Sequence, residues 1–191
     1  MNKGKTPNSK EASLESVRRR YREHLQQRDP KKIAELDAKV AKLIKKQIQD
    51  PKHPQCGGWG DVTDAATPAL SWNMTSLAQL CAMADAWGNP GSRFSRDSEL
   101  ARRISLAAKF YATVLTPKEP FPGNWWCWQI GMPRELNRIF LFGGEAMDPG
   151  SKQALLSAFR YMVDKIWDFH GSANRAGVAV SILGYGLASS D

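Results

Sequence analysis

Apolar residues recur every three or four positions along almost the whole of this chain, and this period limits the fold more than any other feature. Such spacing places the apolar side chains on one face of an α-helix. Two of the periodic runs begin with Asp followed by Pro, at Asp29 and Asp148. This pair is typical of a helix N-cap and its first helical residue. Neither strand-like alternation nor a hairpin turn signal occurs between the runs. The sequence therefore predicts an all-α protein.

The periodic runs predict six helices and a seventh that is interrupted by glycines. The first has Ser13 as a candidate cap and an apolar stripe of Leu14, Val17, Tyr21 and Leu25. Short links such as that between the fifth and sixth helices predict antiparallel neighbours. The helices are expected over about 13–27, 30–48, 70–87, 97–115, from Pro133 to the glycine pair at 143–144, 149–166 and 174–191.

The ends and the cysteines of the chain suggest one domain with a short tail. Residues 1–12 contain lysines but no apolar run, so we expect a disordered basic tail without a visible signal peptide, and residues 13–191 are expected to form the domain. The apolar runs are far shorter than the roughly 20 residues of a membrane span. Three cysteines without paired spacing argue against a disulfide framework. We expect neither a metal site nor a cofactor.

Positive charge is concentrated at the start of the chain. The net charge is +8, and the first 50 residues alone account for +7 of it. A basic segment of this kind suggests a polyanionic partner such as a nucleic acid, an acidic polysaccharide or an anionic lipid surface. A solvated helix face is the simpler interpretation. Charge alone favours the simpler one.

Three tryptophans, Trp125, Trp126 and Trp128, fall within four residues between a proline-rich loop and a predicted helix. Exposed indole rings stack on nucleobases, aromatic ligands or the C–H face of a sugar. Core packing is the alternative, and the clustering weakens it. A second loop of small residues leads to Asn174 and Arg175, where a ligand could contact both side chains and the helix N–H groups. For Asn174, a simple helix cap is the alternative.

Together these two segments resemble polysaccharide lyase family 8, which contains the hyaluronate, chondroitin AC and xanthan lyases. The family motif of Asn and two Trp, followed by Ile-Gly-x-Pro, is similar to the stretch from Asn124 to Pro133. A later Gly-x-Asn-Arg type of loop is similar to residues 171–175. Trp126 and Asn174 lie 48 residues apart, close to the family spacing. The resemblance covers most of residues 14–190 and implies the N-terminal part of an α/α toroid of antiparallel helical hairpins, incomplete in this chain.

The resemblance also implies an activity, that of a carbon–oxygen lyase cleaving an acidic polysaccharide at a uronic acid by β-elimination. It implies that Asn174 neutralises the uronate carboxylate and that Trp125 and Trp126 stack on sugar rings. Asn124, Trp128 and Arg175 are then expected to contact the substrate. The family's proton-transferring His and Tyr follow the asparagine loop at a distance, so this chain is expected to lack them.

The family resemblance further implies an extracellular or periplasmic location, and we expect a monomer. Two positions depart from the family pattern: Gln129 stands where Glu is usual, and Gly177, where Asp is usual, is expected to loosen the helix behind Asn174. Two other functions remain open. One is a non-catalytic carbohydrate-binding remnant, and the other is a helical nucleic-acid-binding protein using the basic N-terminal segment. The tryptophans lie outside that segment, which speaks against a nucleic-acid partner.

Overall fold

A computed structural model describes residues 9–60, 70–115, 124–164 and 172–189 of the chain. Within these ranges the regular structure is helical and no strand occurs, which confirms the all-α prediction. A π-helical segment, Cys127–Gly131, precedes the fifth α-helix, and a 3-10 turn, Gly144–Ala146, follows it. The α-helices are α1 (Ser9–Leu25), α2 (Pro30–Lys46), α3 (Leu70–Gly88), α4 (Ser98–Val114), α5 (Met132–Gly143), α6 (Pro149–Asp164) and α7 (Ser172–Ser189).

Aspartate caps start three of these helices. Asp29 accepts a hydrogen bond from the N–H of Lys31, and Asp148 accepts one from the N–H of Ser151 at 2.9 Å. Asp97 caps α4 in the same way. These bonds satisfy N–H groups that have no partner within the helix, so both Asp-Pro predictions are confirmed. The first helix differs from the prediction, because α1 begins at Ser9, ahead of Ser13, and residues 9–12 are helical.

The helices form two layers. Helices α3, α5 and α7 contact one another in series and form one layer, while α4 and α6 contact each other in a second layer. In the first layer, Asp85 of α3 meets Arg138 of α5, and Gly88 meets Phe142 further along both helices. Helices α3 and α5 therefore run in the same direction. The connecting helix α4 must return in the opposite direction, which makes consecutive helices antiparallel hairpins, as the sequence predicted.

Close approach within the first layer depends on glycine. A Cβ atom added at Gly143 would lie 2.7 Å from the Cβ of Ala84, and one added at Gly184 would lie 2.3 Å from Cγ of Asn137. Each contact is shorter than van der Waals packing permits, so a larger residue would force the helices apart. Small residues thus set the distance between neighbouring helices in this layer.

Between the layers lies a continuous hydrophobic core. The ion pair of Asp85 and Arg138 crosses from α3 to α5, with Arg138 Nε 2.8 and 2.9 Å from the two carboxylate oxygens. Burial raises the pKa of Asp85, while the adjacent guanidinium opposes this shift. In α4 the buried residues include Leu100, Ile104 and Tyr111. The largest fully buried side chains are Leu77, Leu80, Met83, Leu100, Ile104, Tyr111, Leu115, Trp128, Met132, Leu136, Ile139 and Phe159.

Helix α1 lies across the C-terminal ends of α5 and α7 and is held there by arginine. Arg18 donates from Nε and Nη2 to the carbonyl of Leu187, at 2.8 and 2.6 Å. Arg22 donates from Nε to the carbonyl of Leu141 at 2.9 Å. Cations near helix C-termini also interact favourably with the helix dipole. Hydrogen bonds from arginine thus attach α1 to the rest of the protein together with its apolar stripe, which was predicted to do so alone. Val17 of that predicted stripe is 43% exposed.

Candidate functional site

The tryptophan cluster lies on a helical turn. Helical backbone begins at Trp125, and Asn124 caps it, because its Oδ1 accepts from the N–H of Trp126 at 3.0 Å. The carbonyl of Asn124 also accepts from the N–H of Cys127 at 3.1 Å. The prediction of a loop that ends where a helix starts at Pro133 is therefore wrong. The three tryptophans and the neighbouring glycine did not suggest a helix start, although Asn124 is a residue type that caps helices.

The π-helical segment that follows has a cause in the sequence. Pro133 has no N–H, so it cannot bond the carbonyl of Gln129 four residues before it, as an α-helix requires. Instead the backbone widens by one residue over Cys127–Gly131, and the N–H of Met132 bonds the carbonyl of Cys127. Single π turns of this kind relieve such a mismatch and are frequent at functional sites.

Helix α7 supplies the contacts that hold this segment. The hydroxyl oxygen of Ser181 lies 3.1 Å from the carbonyl oxygen of Gln129 and 3.1 Å from that of Gly177, and it can donate its one proton to either. Ser181 is fully buried. One turn earlier, Gly177 lets the α7 backbone approach the side chain of Ile130. The N-terminal half of α7 is thereby fitted directly against the turn that follows the tryptophans.

The three tryptophans have different surroundings. Trp125 and Trp126 are partly exposed, and Trp126 rests on the hydrophobic core with one part of its ring. Asn124 beside them is exposed. Trp128, in contrast, is 1% exposed and belongs to the core, so it presents no face to a ligand. We therefore leave Trp128 out of the candidate site, contrary to the sequence prediction.

Asn174 and Arg175 lie in the first turn of α7, where Asn174 is partly buried and Arg175 is exposed. The helical period places Asn174 near the face of α7 that carries Gly177 and Ser181, three and seven residues further on. That face contacts the π-helical segment. The expected closeness of Asn174 to the indoles agrees with this arrangement and stays a prediction. Residues 165–171, with His170 and Gly171, lie outside the described residues.

The remaining chemistry around the segment is that of binding. Burial raises the pKa of the Cys127 thiol, so it stays protonated near neutral pH and is a poor base. Within the described ranges, His, Cys, Asp and Glu form no group of three or more that could hold a metal ion. Every helix in those ranges is too short or too polar to cross a membrane. The site thus offers aromatic faces, amide groups and helix N–H groups.

Comparison with known proteins decides the family. The model of the N-terminal α-helical domain of polysaccharide lyase family 8 matches residues 18–188, which is nearly the whole chain. The chain belongs to this family. Solved structures agree on the fold of this family 8 domain. It superposes on a xanthan lyase of Paenibacillus with a TM-score of 0.77 at 18% identity, covering 94% of this chain and 18% of that one. For a chondroitin AC lyase of Streptomyces coelicolor A3 the TM-score is 0.71 at 18% identity, over 93% of this chain and 25% of that one.

Relatives in sequence are larger proteins. Hyaluronate lyase HylB of Enterococcus faecalis is 26% identical in an alignment of 137 positions, which covers 61% of this chain and 14% of that protein. Hyaluronate lyase HylB of Cutibacterium acnes is 23% identical over 136 residues, 71% of this chain and 16% of that protein. The family 8 chain described here therefore spans about one sixth of the length of these relatives.

Proposed function

We propose that this chain is the N-terminal helical part of a polysaccharide lyase that cleaves uronic-acid-containing acidic polysaccharides by β-elimination. In this proposal Trp125 and Trp126 form a floor on which sugar rings stack, with Asn124 at its edge. Asn174 binds the uronate carboxylate, and Arg175 adds positive charge beside it. The observation that carries the proposal is the partly exposed indole pair of Trp125 and Trp126 directly before the π-helical segment that α7 contacts.

The helical turn that carries the tryptophans, from Asn124 to Trp128, is called the tryptophan turn here, and its geometry supports stacking. A partly exposed indole can offer a ring face to a sugar while the rest of the ring packs on the core, and Trp126 is partly exposed and packs against the core. The Asn124 cap and the π-helical segment hold the turn in place, so little conformational entropy is lost when a sugar binds. Rigid support of this kind favours a binding surface over a mobile loop.

The start of α7 suits a carboxylate. The first N–H groups of a helix have no intrahelical partner, and the helix dipole adds partial positive charge there. The side-chain amide of Asn174 and the charge of Arg175 lie in that first turn. In β-elimination a base removes the C5 proton, the electron pair forms the C4–C5 double bond, and the C4–O bond breaks as the leaving oxygen gains a proton. Donors at the carboxylate stabilise the negative charge that develops when the C5 proton leaves.

The groups that move protons are expected to come from other parts of the lyase. In the family resemblance they are a His and a Tyr, and His24 and His53 are remote from the tryptophan turn in sequence. Binding by this chain should therefore survive better than catalysis. An acidic polysaccharide substrate also fits an extracellular or periplasmic location, which is part of the proposal.

Binding can be tested with single variants of the intact chain. Tryptophan fluorescence is titrated with hyaluronan or chondroitin, and with a neutral glucan as the reference polymer. Trp126→Ala should weaken binding to the acidic polymers by about 1–3 kcal/mol, if a sugar ring gains as much from stacking as a nucleobase does on an aromatic side chain. Trp126→Phe is the matched control, because it keeps an aromatic face and should retain most of the affinity. An equal response to the acidic polymers and the neutral glucan would contradict uronate recognition.

Catalysis is tested by the ultraviolet absorbance of the C4–C5 double bond in the product. The 191-residue chain alone should show little turnover. A version extended with a downstream His and Tyr should be active, and Asn174→Ala in that version should lose about 10²–10³ in rate, as expected for one oxyanion-type donor. Arg160→Ala, at an exposed position of α6 where the side chain pairs with Asp164, is the control and should leave the rate unchanged. Full activity of the extended Asn174→Ala variant would remove this residue from the mechanism.

A further inference from the structure

The exposed face of α2 carries an unusual row of lysines. At 3.6 residues per turn, Lys31, Lys32, Lys39, Lys42, Lys45 and Lys46 all fall within a sector of about 140° around the helix axis. All six side chains are exposed. With a rise of 1.5 Å per residue, the row is about 22 Å long. We call it the lysine stripe. The opposite face of α2 carries Val40, Leu36 and Leu43, which contact the core.

The charge of the lysine stripe is not neutralised by the part of the protein that the structure describes. None of its lysines forms an ion pair with another described residue. Glu35 is the one acidic residue in the same sector, whereas Asp37 points away and accepts hydrogen bonds from Ser92 and Arg93. Asp85 lies near enough to Lys39 to sense its charge, but Arg138 already binds both oxygens of that carboxylate.

Helix stability explains only part of the placement of the lysines. Lys45 and Lys46 stand in the last turn of α2, where the helix dipole favours cations, and Glu35 is four residues from both Lys31 and Lys39. Lys31 and Lys32 stand in the first turn of α2, where the helix dipole disfavours cations, and no acidic residue is present in that turn. Like charges three and four residues apart, as in Lys39 and Lys42 or Lys42 and Lys46, also repel each other. The lysines in the first turn and at position 42 are therefore better explained by a partner that carries negative charge.

We propose that the lysine stripe is a second binding surface for the acidic polysaccharide, separate from the tryptophan turn, which holds a remote part of a long polymer. This inference rests on the proposed function for the identity of the polymer. Lysine suits this role, because its ammonium is a point charge on a flexible stem and needs no fixed bidentate partner. The stripe can therefore follow carboxylates or sulfates that are spaced widely along a sugar chain.

A nucleic acid fits the surface less well than a polysaccharide does. Proteins that bind single strands interleave basic residues with exposed aromatic rings for stacking. Tyr21 is the one aromatic residue among residues 1–50, and its hydroxyl oxygen lies 3.3 Å from Nδ2 of Asn137 in a partly buried position. Trp59 also lies against α2, but its Nε1 donates to the carbonyl of Leu43 and its ring stacks on Tyr111. The stripe thus offers mainly charge, which matches a polymer whose sugar rings stack on the tryptophans instead.

The experiment compares two triple variants of the full chain. Lys31→Gln/Lys32→Gln/Lys42→Gln removes half of the stripe, including its two lysines at the unfavourable helix end. Arg20→Gln/Lys109→Gln/Arg160→Gln removes the same charge from exposed positions on α1, α4 and α6. Binding of fluorescent chondroitin sulfate, as a long polymer and as a tetrasaccharide, is followed by anisotropy at several salt concentrations. Thermal unfolding of each variant shows that the fold is kept.

The stripe variant should bind the long polymer roughly 10-fold more weakly at low salt, with a salt dependence reduced by about one to two in the logarithmic slope. Its affinity for the tetrasaccharide, which is too short to reach both surfaces, should be unchanged, and the control variant should lose less than about twofold. Equal losses in the two triple variants would overturn the inference, and so would an unchanged polymer affinity in the stripe variant. Displacement of the polymer by single-stranded DNA at a lower concentration of charge would assign the surface to nucleic acid instead.

Trp126→Ala separates this inference from the proposed function. If the tryptophan variant loses the tetrasaccharide while the stripe variant loses only the long polymer, both proposals stand. If the stripe variant loses the polymer but Trp126→Ala binds both ligands normally, the stripe stands and the tryptophan site falls. If only Trp126→Ala has an effect, the lysine stripe is a solvated helix face and the inference is refuted.

Discussion

Gly177 lies where α7 touches the π-helical segment, and replacing it with Ala tests whether that contact sets the position of Asn174. An added Cβ atom would lie 2.9 Å from Cγ2 of Ile130 and 3.1 Å from its Cδ1. Ile130 is 3% exposed, so its side chain has little room to move away. Overpacking of this kind costs about 1–3 kcal/mol, whereas Ala in place of Gly in a helix contributes about 1 kcal/mol of stability. Gly177→Ala should therefore reduce the free energy of unfolding by up to about 2 kcal/mol.

Gly186 provides a matched control in the same helix. A Cβ atom at Gly186 would meet nothing within 4 Å, so Gly186→Ala should have only the helix-propensity gain and stabilise the protein by up to about 1 kcal/mol. The same substitution is thus expected to have opposite effects at two sites of one helix. Denaturant unfolding followed by circular dichroism measures both. For a protein of this size, each kcal/mol moves the melting temperature by about 2–4 °C.

A double-mutant cycle identifies Ile130 as the cause. Ile130→Ala alone should cost about 2–5 kcal/mol, because it leaves a cavity under α7. In Gly177→Ala/Ile130→Ala, the new methyl group fills part of that cavity. The double variant should therefore be about 0.5–3 kcal/mol more stable than the sum of the two single effects predicts. Additive effects, or a Gly177→Ala variant as stable as Gly186→Ala, would show that Gly177 is not required for close approach. In that case the link from α7 to the tryptophan turn would rest on Ser181 alone.

Three further substitutions test contacts on which the structure depends. Ser181→Ala removes the hydroxyl donor to the buried carbonyl of Gln129 and should lower the free energy of unfolding by about 1–3 kcal/mol. Hydrogen exchange at the amide of Met132 should become faster. Unchanged exchange would mean that the π-helical segment is stable without this hydrogen bond. Asp148→Ala should lose the N-cap of α6, about 0.5–2 kcal/mol in denaturant unfolding, while Asp148→Asn keeps an acceptor and should lose less; equal losses would point to charge instead of capping. Arg96 hydrogen-bonds Glu145 and lowers the pKa of that carboxyl. The stability that the ionised Glu145 carboxylate contributes is therefore present above the ordinary pKa of Glu and is lost as the pH falls through the lowered pKa. Stability measured between neutral pH and about pH 2 should accordingly fall less steeply in Glu145→Gln than in the natural chain, and parallel curves would contradict this assignment.

The lysine stripe and the tryptophan turn show how far charge and composition can be interpreted from sequence. The excess of positive charge in the first 50 residues is visible without a structure, but its arrangement on one side of α2 follows only once the helix is placed. A solvated helix face and a binding surface for a polyanion predict the same composition for this basic segment. They differ in whether neighbouring carboxylates neutralise the lysines, which is a tertiary property.

Local signals were sufficient for the helices themselves. The 3.6-residue period, together with the Asp-Pro starts at Asp29 and Asp148, predicted an all-α chain because both act between residues that are near in sequence. The family motif around Asn124 and Pro133 was also visible in the sequence. In retrospect Pro133 predicts the π turn as well, since its missing N–H leaves the carbonyl of Gln129 without its usual donor.

Only the tertiary structure decided the environment of each tryptophan. The helical period alone does not explain the difference, because Trp125 and Trp128, three residues apart, point only about 60° apart, whereas Trp125 and Trp126 point about 100° apart. Which of them enters the core depends on the side from which other elements approach, and Trp128 is the one that is buried. Likewise, the glycine at position 177 suggested a loosened helix in the sequence, whereas in the structure it allows α7 to contact Ile130. Burial and close approach are set by residues far apart in the chain, and a local pattern does not contain them.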